Sequence, residues 1–205
     1  MEKILNFSEP FLTVEYISSA EDYYIANKAI IINIDLDPTD VEDVELQPMH
    51  SMLCANTTIA KVRNLLLVTV ANDNFLNNNR DIDADIIRNS WHHVHDLFDV
   101  PQLRESPLWR SQKERIRNLE LNLWFAPAGT HCGIHKKHNF FEVHTQLYGI
   151  GSMQKFHRKS HASLYQETMM APGYTHEPFY NSLGEYPWHQ YHADTDCIWM
   201  AIEQH

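Results

Sequence analysis

The chain has 205 residues and a formal net charge of −11; that length predicts one well-filled core, and that charge excludes nucleic acid as a partner, because a phosphate backbone is attracted by basic patches. A hydrophobic share of 43% and a charged share of 21% exclude a disordered chain. No apolar run approaches the roughly 20 residues that cross a bilayer, and Met1 to Pro10 has no basic stretch followed by an apolar one, so neither a membrane partner nor an export signal is expected and the chain reads as cytoplasmic.

Lys28 to Asp35 is rich in β-branched residues and ends at an Asp-Leu-Asp-Pro turn signal, which predicts a strand. Asp37 to Glu45 is acidic and turn-like, while Thr58 to Val70 fits helix or strand equally well. Asn72 to Arg80 reads as an exposed, Asn-rich loop. Asp81 to Asp99 predicts a helix, with Ile87, Trp91, Val94 and Phe98 recurring at helical spacing. Its His92 and His95 fall on the polar face, which explains them more simply than a metal does. The basic clusters Arg104 to Arg117 and Lys155 to Lys159 are diluted by acidic and apolar residues and read as solvated faces. Cys54, Cys132 and Cys197 are odd in number and far apart, which fits a reducing compartment; Cys132 reads as a small buried thiol.

After Pro101 and Pro107 the pattern changes. Asn118 to Phe125 alternates apolar and polar residues, the signature of a half-buried strand. Strand-like runs follow at Glu142 to Tyr148, Leu164 to Met169 and Asp196 to Glu203, separated by Gly- and Pro-containing turns. Short strands at this spacing predict an antiparallel sandwich or barrel.

The chemistry is concentrated between Gly129 and His176. His135, His138, Glu142, His144 and His176 are imidazole and carboxylate donors, a set that suits Fe, Zn, Ni or Mn. On a strand from Glu142, the side chains of Glu142, His144 and Gln146 project from one face. His135 and His138 are three apart and would face opposite sides of a strand, so a bulge or turn at Lys136-Lys137 is needed to bring both to one metal. Trp188 to Asp194 contains His-x-Asp, which without a suitable distal histidine reads as a rim feature. No phosphate-binding Gly loop, nucleophile elbow or zincin helix occurs.

These residues resemble the two motifs of the cupin superfamily. Gly129 is followed by five residues and His135, and Glu142 by six residues and Gly149. The second histidine, His138, comes one residue later than in the family pattern. The second motif reads Pro172-Gly173-Tyr174-Thr175-His176, one residue shorter than the family form, with Asn181 following. The resemblance covers Leu119 to Glu203. It implies a mainly β fold, a cupin-type antiparallel sandwich or barrel at 111–205, preceded by an α/β extension at 1–110 that covers one end. It implies metal ligands among His135, Glu142 and His176, with His138 and His144 competing for the remaining position, and substrate contacts from Gln146 and Tyr174. The activity it implies is that of a metal-dependent enzyme, Fe(II) leading, acting as an oxygenase on a small polar molecule. A metal-dependent lyase or isomerase of a small carboxylate or sugar, or a non-catalytic ligand-binding module, is the alternative. Cupin-like sandwiches often pair, so a homodimer is also expected.

Overall fold

The computed structural model describes residues 2–7, 11–70, 83–94, 103, 106–136, 140–180 and 184–205. The first part of the chain forms β1 (Glu2–Leu5), β2 (Leu12–Ile25), β3 (Ala29–Asn33), β4 (Thr39–Val41), β5 (Val44–Leu46), β6 (Ser51–Cys54) and β7 (Thr57–Val70). Among the described residues these make an antiparallel sheet in the order β1-β2-β7-β3-β6, with β4 and β5 as a separate hairpin. The stretch at Thr58 to Val70 therefore resolves as strand: its backbone pairs antiparallel along the length of β2. The acidic turn-like segment carries the hairpin, with Glu42 at φ 52° in its tight turn.

A short helix, α1 (Ala84–Ser90), starts where Asp83 accepts hydrogen bonds from the amides of Asp85 and Ile86. The predicted helix was longer, to Asp99. The chain instead turns extended at Trp91 (φ −109°, ψ 160°) and enters β8 (His92–His93), which pairs with β9 (Trp109–Arg110). Tertiary contacts outweigh local periodicity here: Trp91 donates its indole N–H to the Phe7 carbonyl at 2.8 Å, and Val94 N–H bonds to Leu108 O at 2.8 Å. The remainder of that predicted helix, with His95, lies outside the described residues, as does the Asn-rich loop before it.

The rest of the chain supplies β10 (Glu114–Ile116), β11 (Leu119–Ala126), β12 (Phe141–Tyr148), β13 (Gly151–Phe156), β14 (Leu164–Met170), β15 (Trp188–Ala193) and β16 (Cys197–Gln204). Among the described residues a second sheet runs β12-β16-β11-β9-β8, with β10 on β11, and a third runs β14-β13-β15. All of these pairings are antiparallel. The fold is a β sandwich with an added N-terminal sheet, and among the described residues that N-terminal part is mostly strand, with α1 as its α-helix.

Alternation along the central strands assigns their side chains to two interiors. Leu119, Leu121, Leu123 and Phe125 of β11, Val143 and Leu147 of β12, and Ile198, Met200 and Ile202 of β16 share one cluster with Val14, Ile30, Ile32, Leu66 and Val68 of the N-terminal sheet. Trp124, Ala126, Cys197, Trp199 and Ala201 point the other way and pack with Met153, Met170, Tyr191 and Ala193 of the third sheet. The second sheet is thus covered on both faces.

Leu123 is fully buried in the shared cluster, so Leu123→Ala should destabilise the protein by about 2–5 kcal/mol through lost burial and a residual cavity. Urea unfolding followed by fluorescence and by far-UV circular dichroism should give coincident transitions in both proteins. A change below about 1 kcal/mol, or loss of one sheet before the others, would mean that the cluster does not join them.

Candidate metal and substrate cavity

A cavity of about 90 Å³ lies between the second and third sheets, lined among others by His135, Glu142, His144 and His189 and by the aromatic rings of Trp124, Tyr191 and Trp199. Each donor arrives by strand geometry. Glu142 and His144 come from β12 on the face opposite Val143. His189 and Tyr191 come from the inner face of β15, and Trp124 and Trp199 are direct partners across β11 and β16. His135 is held by a two-bond antiparallel bridge, in which His135 N–H donates to His189 O at 3.0 Å and His189 N–H returns to His135 O at 2.8 Å. That bridge sets the two imidazoles side by side, with ring centroids 4.2 Å apart.

The hydrogen bonds fix which nitrogen each ring offers. His135 Nδ1 lies 2.8 Å from Gly133 O and His189 Nδ1 3.1 Å from Pro187 O; a carbonyl only accepts, so both rings carry the proton on Nδ1 and keep the Nε2 lone pair. His144 is the reverse case. Its Nε2 is 3.2 Å from Glu142 Oε1, and its Nδ1, buried, has no hydrogen-bond partner among the described residues. Burial holds His144 down to about 4, and burial also lowers His135. Both are therefore neutral at physiological pH, the form in which a ring nitrogen can ligate.

His176 and Tyr174 do not line this cavity, although both were expected at the site. The His144 backbone N–H donates to His176 Nε2 at 3.0 Å, and His176 Nδ1 lies 2.7 Å from Glu177 O. Both His176 nitrogens are thus engaged with backbone, and the ring ties the turn before it to β12. Tyr174 is partly exposed, and its carbonyl accepts from Gln146 N–H at 2.9 Å. The Gln146 side chain, also expected to meet substrate, is fully buried and committed elsewhere. It donates to the carbonyls of Tyr148 and Gly149 and accepts from Tyr191 OH at 2.7 Å, so it touches the cavity only through that tyrosine. His138 and Asn181 lie outside the described residues.

His189 is the donor that sequence reasoning missed. It sits in the Trp188 to Asp194 segment read as a rim, yet it is 2% exposed. The alternation of His189 and Tyr191 about Gln190 was the available signal. On the outer face of the same strand, His192 stacks on His131 at 4.3 Å, away from the cavity.

Among the described residues, the His and carboxylate group with ligand atoms all within 4.8 Å of one another is Glu120, Glu203 and His205, at one end of the cavity, where Glu203 is a lining residue. An ammonium already serves these carboxylates. Lys113 Nζ lies 3.0 Å from Glu120 Oε2 and 3.1 Å from Glu203 Oε2, and Arg115 also pairs with Glu120. Burial acts to lower Lys113, but the two carboxylates hold it above its ordinary value. Arg115 and Lys113 together hold Glu120 at about 2. A cation entering here would have to displace an established ion-pair network.

The sequence matches no protein-family model and none of the curated proteins. Among solved structures the chain is similar to a Cupin 2 conserved barrel domain protein from Salinispora arenicola, at 13% identity over 62% of this chain and 87% of that one, with a TM-score of 0.38. It is also similar to ectoine synthase from P. lautus, at 13% identity over 55% and 75%, TM-score 0.38, and to an RmlC-like cupin protein from Desulfovibrio desulfuricans, at 15% identity over 54% and 93%, TM-score 0.35. The chemistry has to be argued from the cavity's own residues. No helix among the described residues is long and apolar enough to cross a membrane.

Two outcomes follow from the buried histidines. His144 and His176 are held by burial at about 4 and about 3, below the ordinary value near 6.5. The unfolded chain therefore binds more protons than the folded one between these limits. Their contribution to stability is fully present above about pH 6.5 and is lost as pH falls toward 4 and 3. Calorimetry in EDTA should show the thermal midpoint dropping steadily across that window; a flat profile would contradict it. Separately, His176→Leu leaves the buried His144 amide without its acceptor and should cost about 1–3 kcal/mol in urea unfolding. Unchanged stability would show that the contact is not structural.

Proposed function

We propose that the chain is a cupin-type, metal-dependent enzyme that works on a small molecule in the cavity between the second and third sheets. His135, His144 and His189 with Glu142 hold the metal. One observation carries this reading: His135 and His189 each commit Nδ1–H to a backbone carbonyl, which puts the ring lone pair on Nε2, and both line the cavity with a buried His144 whose Nδ1 has no hydrogen-bond partner among the described residues. Metal-bound histidines characteristically donate their other ring N–H in this way, which sets tautomer and ring direction. The donor chemistry fits a divalent transition ion, Fe(II) first among Fe, Zn, Ni and Mn. His176 belongs to this site as a positioning residue, through the amide of His144.

When bound, such an ion supplies Lewis acidity, and iron adds the capacity to use dioxygen. The chain's own groups do the rest. Glu142 orients His144 through a buried carboxyl contact. Tyr191, raised far above its ordinary value by burial, stays protonated, and Gln146 fixes its hydroxyl. Trp124 and Trp199, stacked with their planes 4° apart, form an apolar wall that keeps bulk water out. An oxygenase is the preferred reaction. A lyase or isomerase using the Glu142–His144 contact as its base is the second reading, favoured by their 3.2 Å separation.

Purified full-length protein should carry about one iron per chain and consume oxygen with its substrate. Glu142→Gln and His189→Ala should each lower metal retention at least about ten-fold, whereas Glu120→Gln should leave it unchanged. Metal content that survives both cavity variants, or that follows Glu120→Gln instead, would overturn the assignment. Turnover without oxygen consumption would favour the lyase or isomerase reading.

A further inference from the structure

A second pocket, of about 280 Å³, lies on the other face of β12 from the metal cavity. Met49, Phe141, Val143 and Pro178 give it an apolar lining, and Asp35 and His50 bring two charges of opposite sign to the same walls. Backbone bonds hold the two charged segments together: Asn33 N–H donates to His50 O at 2.9 Å, and Met49 N–H donates to Asn33 O at 2.7 Å. His50 Nδ1 lies 3.0 Å from Pro48 O and its Nε2 3.2 Å from Glu177 Oε1. A carbonyl and a carboxylate both accept, so the arrangement suits an imidazolium with a proton on each nitrogen. Burial acts to lower His50, but the Pro48 carbonyl and Glu177 hold it above its ordinary value. Asp35 accepts from the amides of Leu36 and Asp37 on Oδ1 and from the Asn64 side chain on Oδ2. Burial acts to raise this carboxyl, but those bonds and the Arg63 charge hold it below its ordinary value. A carboxylate offers about four acceptor positions, so Oδ2 keeps one for a further donor.

We infer that this pocket is a second ligand site, which takes a small amino acid with an apolar side chain. The ligand carboxylate replaces Glu177 at His50 Nε2–H, its ammonium donates to Asp35, and its side chain lies on Met49, Phe141, Val143 and Pro178. Charge complementarity selects this occupant. A plain carboxylate would bring its charge beside Asp35 with nothing to offset it, and a plain amine would do the same beside His50; a zwitterion answers both. Glu177 shows that His50 already meets a carboxylate in this geometry, and its side chain is 71% exposed. An ion pair that open to water is weak, so a ligand carboxylate displaces it at little cost. His176 also lines the pocket, and its Nε2 accepts the His144 amide. The pocket and the metal cavity therefore share the ring that positions His144.

L-Leucine is the probe, titrated calorimetrically into the full chain at about pH 6, where a histidine held above its ordinary value is charged. Three analogues each lack one feature: 4-methylpentanoate has no ammonium, 3-methylbutylamine no carboxylate, and glycine no apolar side chain. Leucine should bind saturably, and equally well to iron-loaded protein and to protein in EDTA. Each of the two analogues lacking a charge should bind at least about ten-fold more weakly, the factor for loss of a charge-assisted bond, and glycine should be weaker for want of apolar burial. Asp35→Asn and His50→Gln should each weaken leucine about ten-fold, with the fold checked by the thermal midpoint. Glu177→Gln removes the competing carboxylate and should tighten leucine binding several-fold, an effect that a purely structural His50 would not give. No saturable binding of leucine, equal binding of 4-methylpentanoate or 3-methylbutylamine, or leucine binding weakened by Glu177→Gln would overturn the proposal. Binding that appears only with iron would place leucine at the metal and overturn it too. Leucine binding by protein that retains no iron would leave this site standing and remove only the metal assignment.

Discussion

The architecture depends on a constraint at β11, β12 and β16: these strands are buried on both faces, and successive side chains must go to opposite sides of a sheet. Residues such as Leu123, Val143 and Met200 fill the cluster shared with the N-terminal sheet. Their neighbours Trp124, His144 and Trp199 are then obliged to face the other interior, which contains the cavity. A strand backed by solvent would make the same pattern amphipathic and leave the inner face as the only dry one. Here the N-terminal sheet supplies the dry backing, so polar donors can be placed on the inner face without loosening the strands.

Within that inner face, the buried polar groups are ordered by backbone rather than by one another. The His135–His189 bridge, the carbonyls of Gly133 and Pro187, and the His144 amide on His176 each fix a ring by a main-chain atom. Main-chain atoms move little once a sheet has formed, so the tautomers are set before any ligand arrives. Neutral rings in a dry, aromatic surround are well suited to a cation and poorly suited to being protonated.

Much of this was legible in the chain. The alternation at Asn118 to Phe125 marks β11, and the period-two run Glu142, His144, Gln146 places two cavity donors on one face of β12, because both signals are local and the strands are regular. What failed was non-local. The predicted helix past Ser90 had good periodicity but lost to sheet pairing and to the Trp91 contact with Phe7. His189 was missed because the short alternation about Gln190 does not reveal its partner 54 residues away in the chain, His135, to which a backbone bridge joins it. His176 stands where the cupin pattern has a ligand, yet its nitrogens are taken by backbone atoms that a motif cannot display. Gln146 faces the expected side but is one shell removed, behind Tyr191.

The central claim is that the metal sits among His135, Glu142, His144 and His189. Crystals grown with Fe(II) under anaerobic conditions, with diffraction recorded on both sides of the iron absorption edge, test it most directly. The account predicts one strong anomalous peak inside the cavity, in contact with imidazole nitrogens of His135 and His189. A peak among Glu120, Glu203 and His205 in its place, or no peak in a cavity otherwise unchanged, would contradict it.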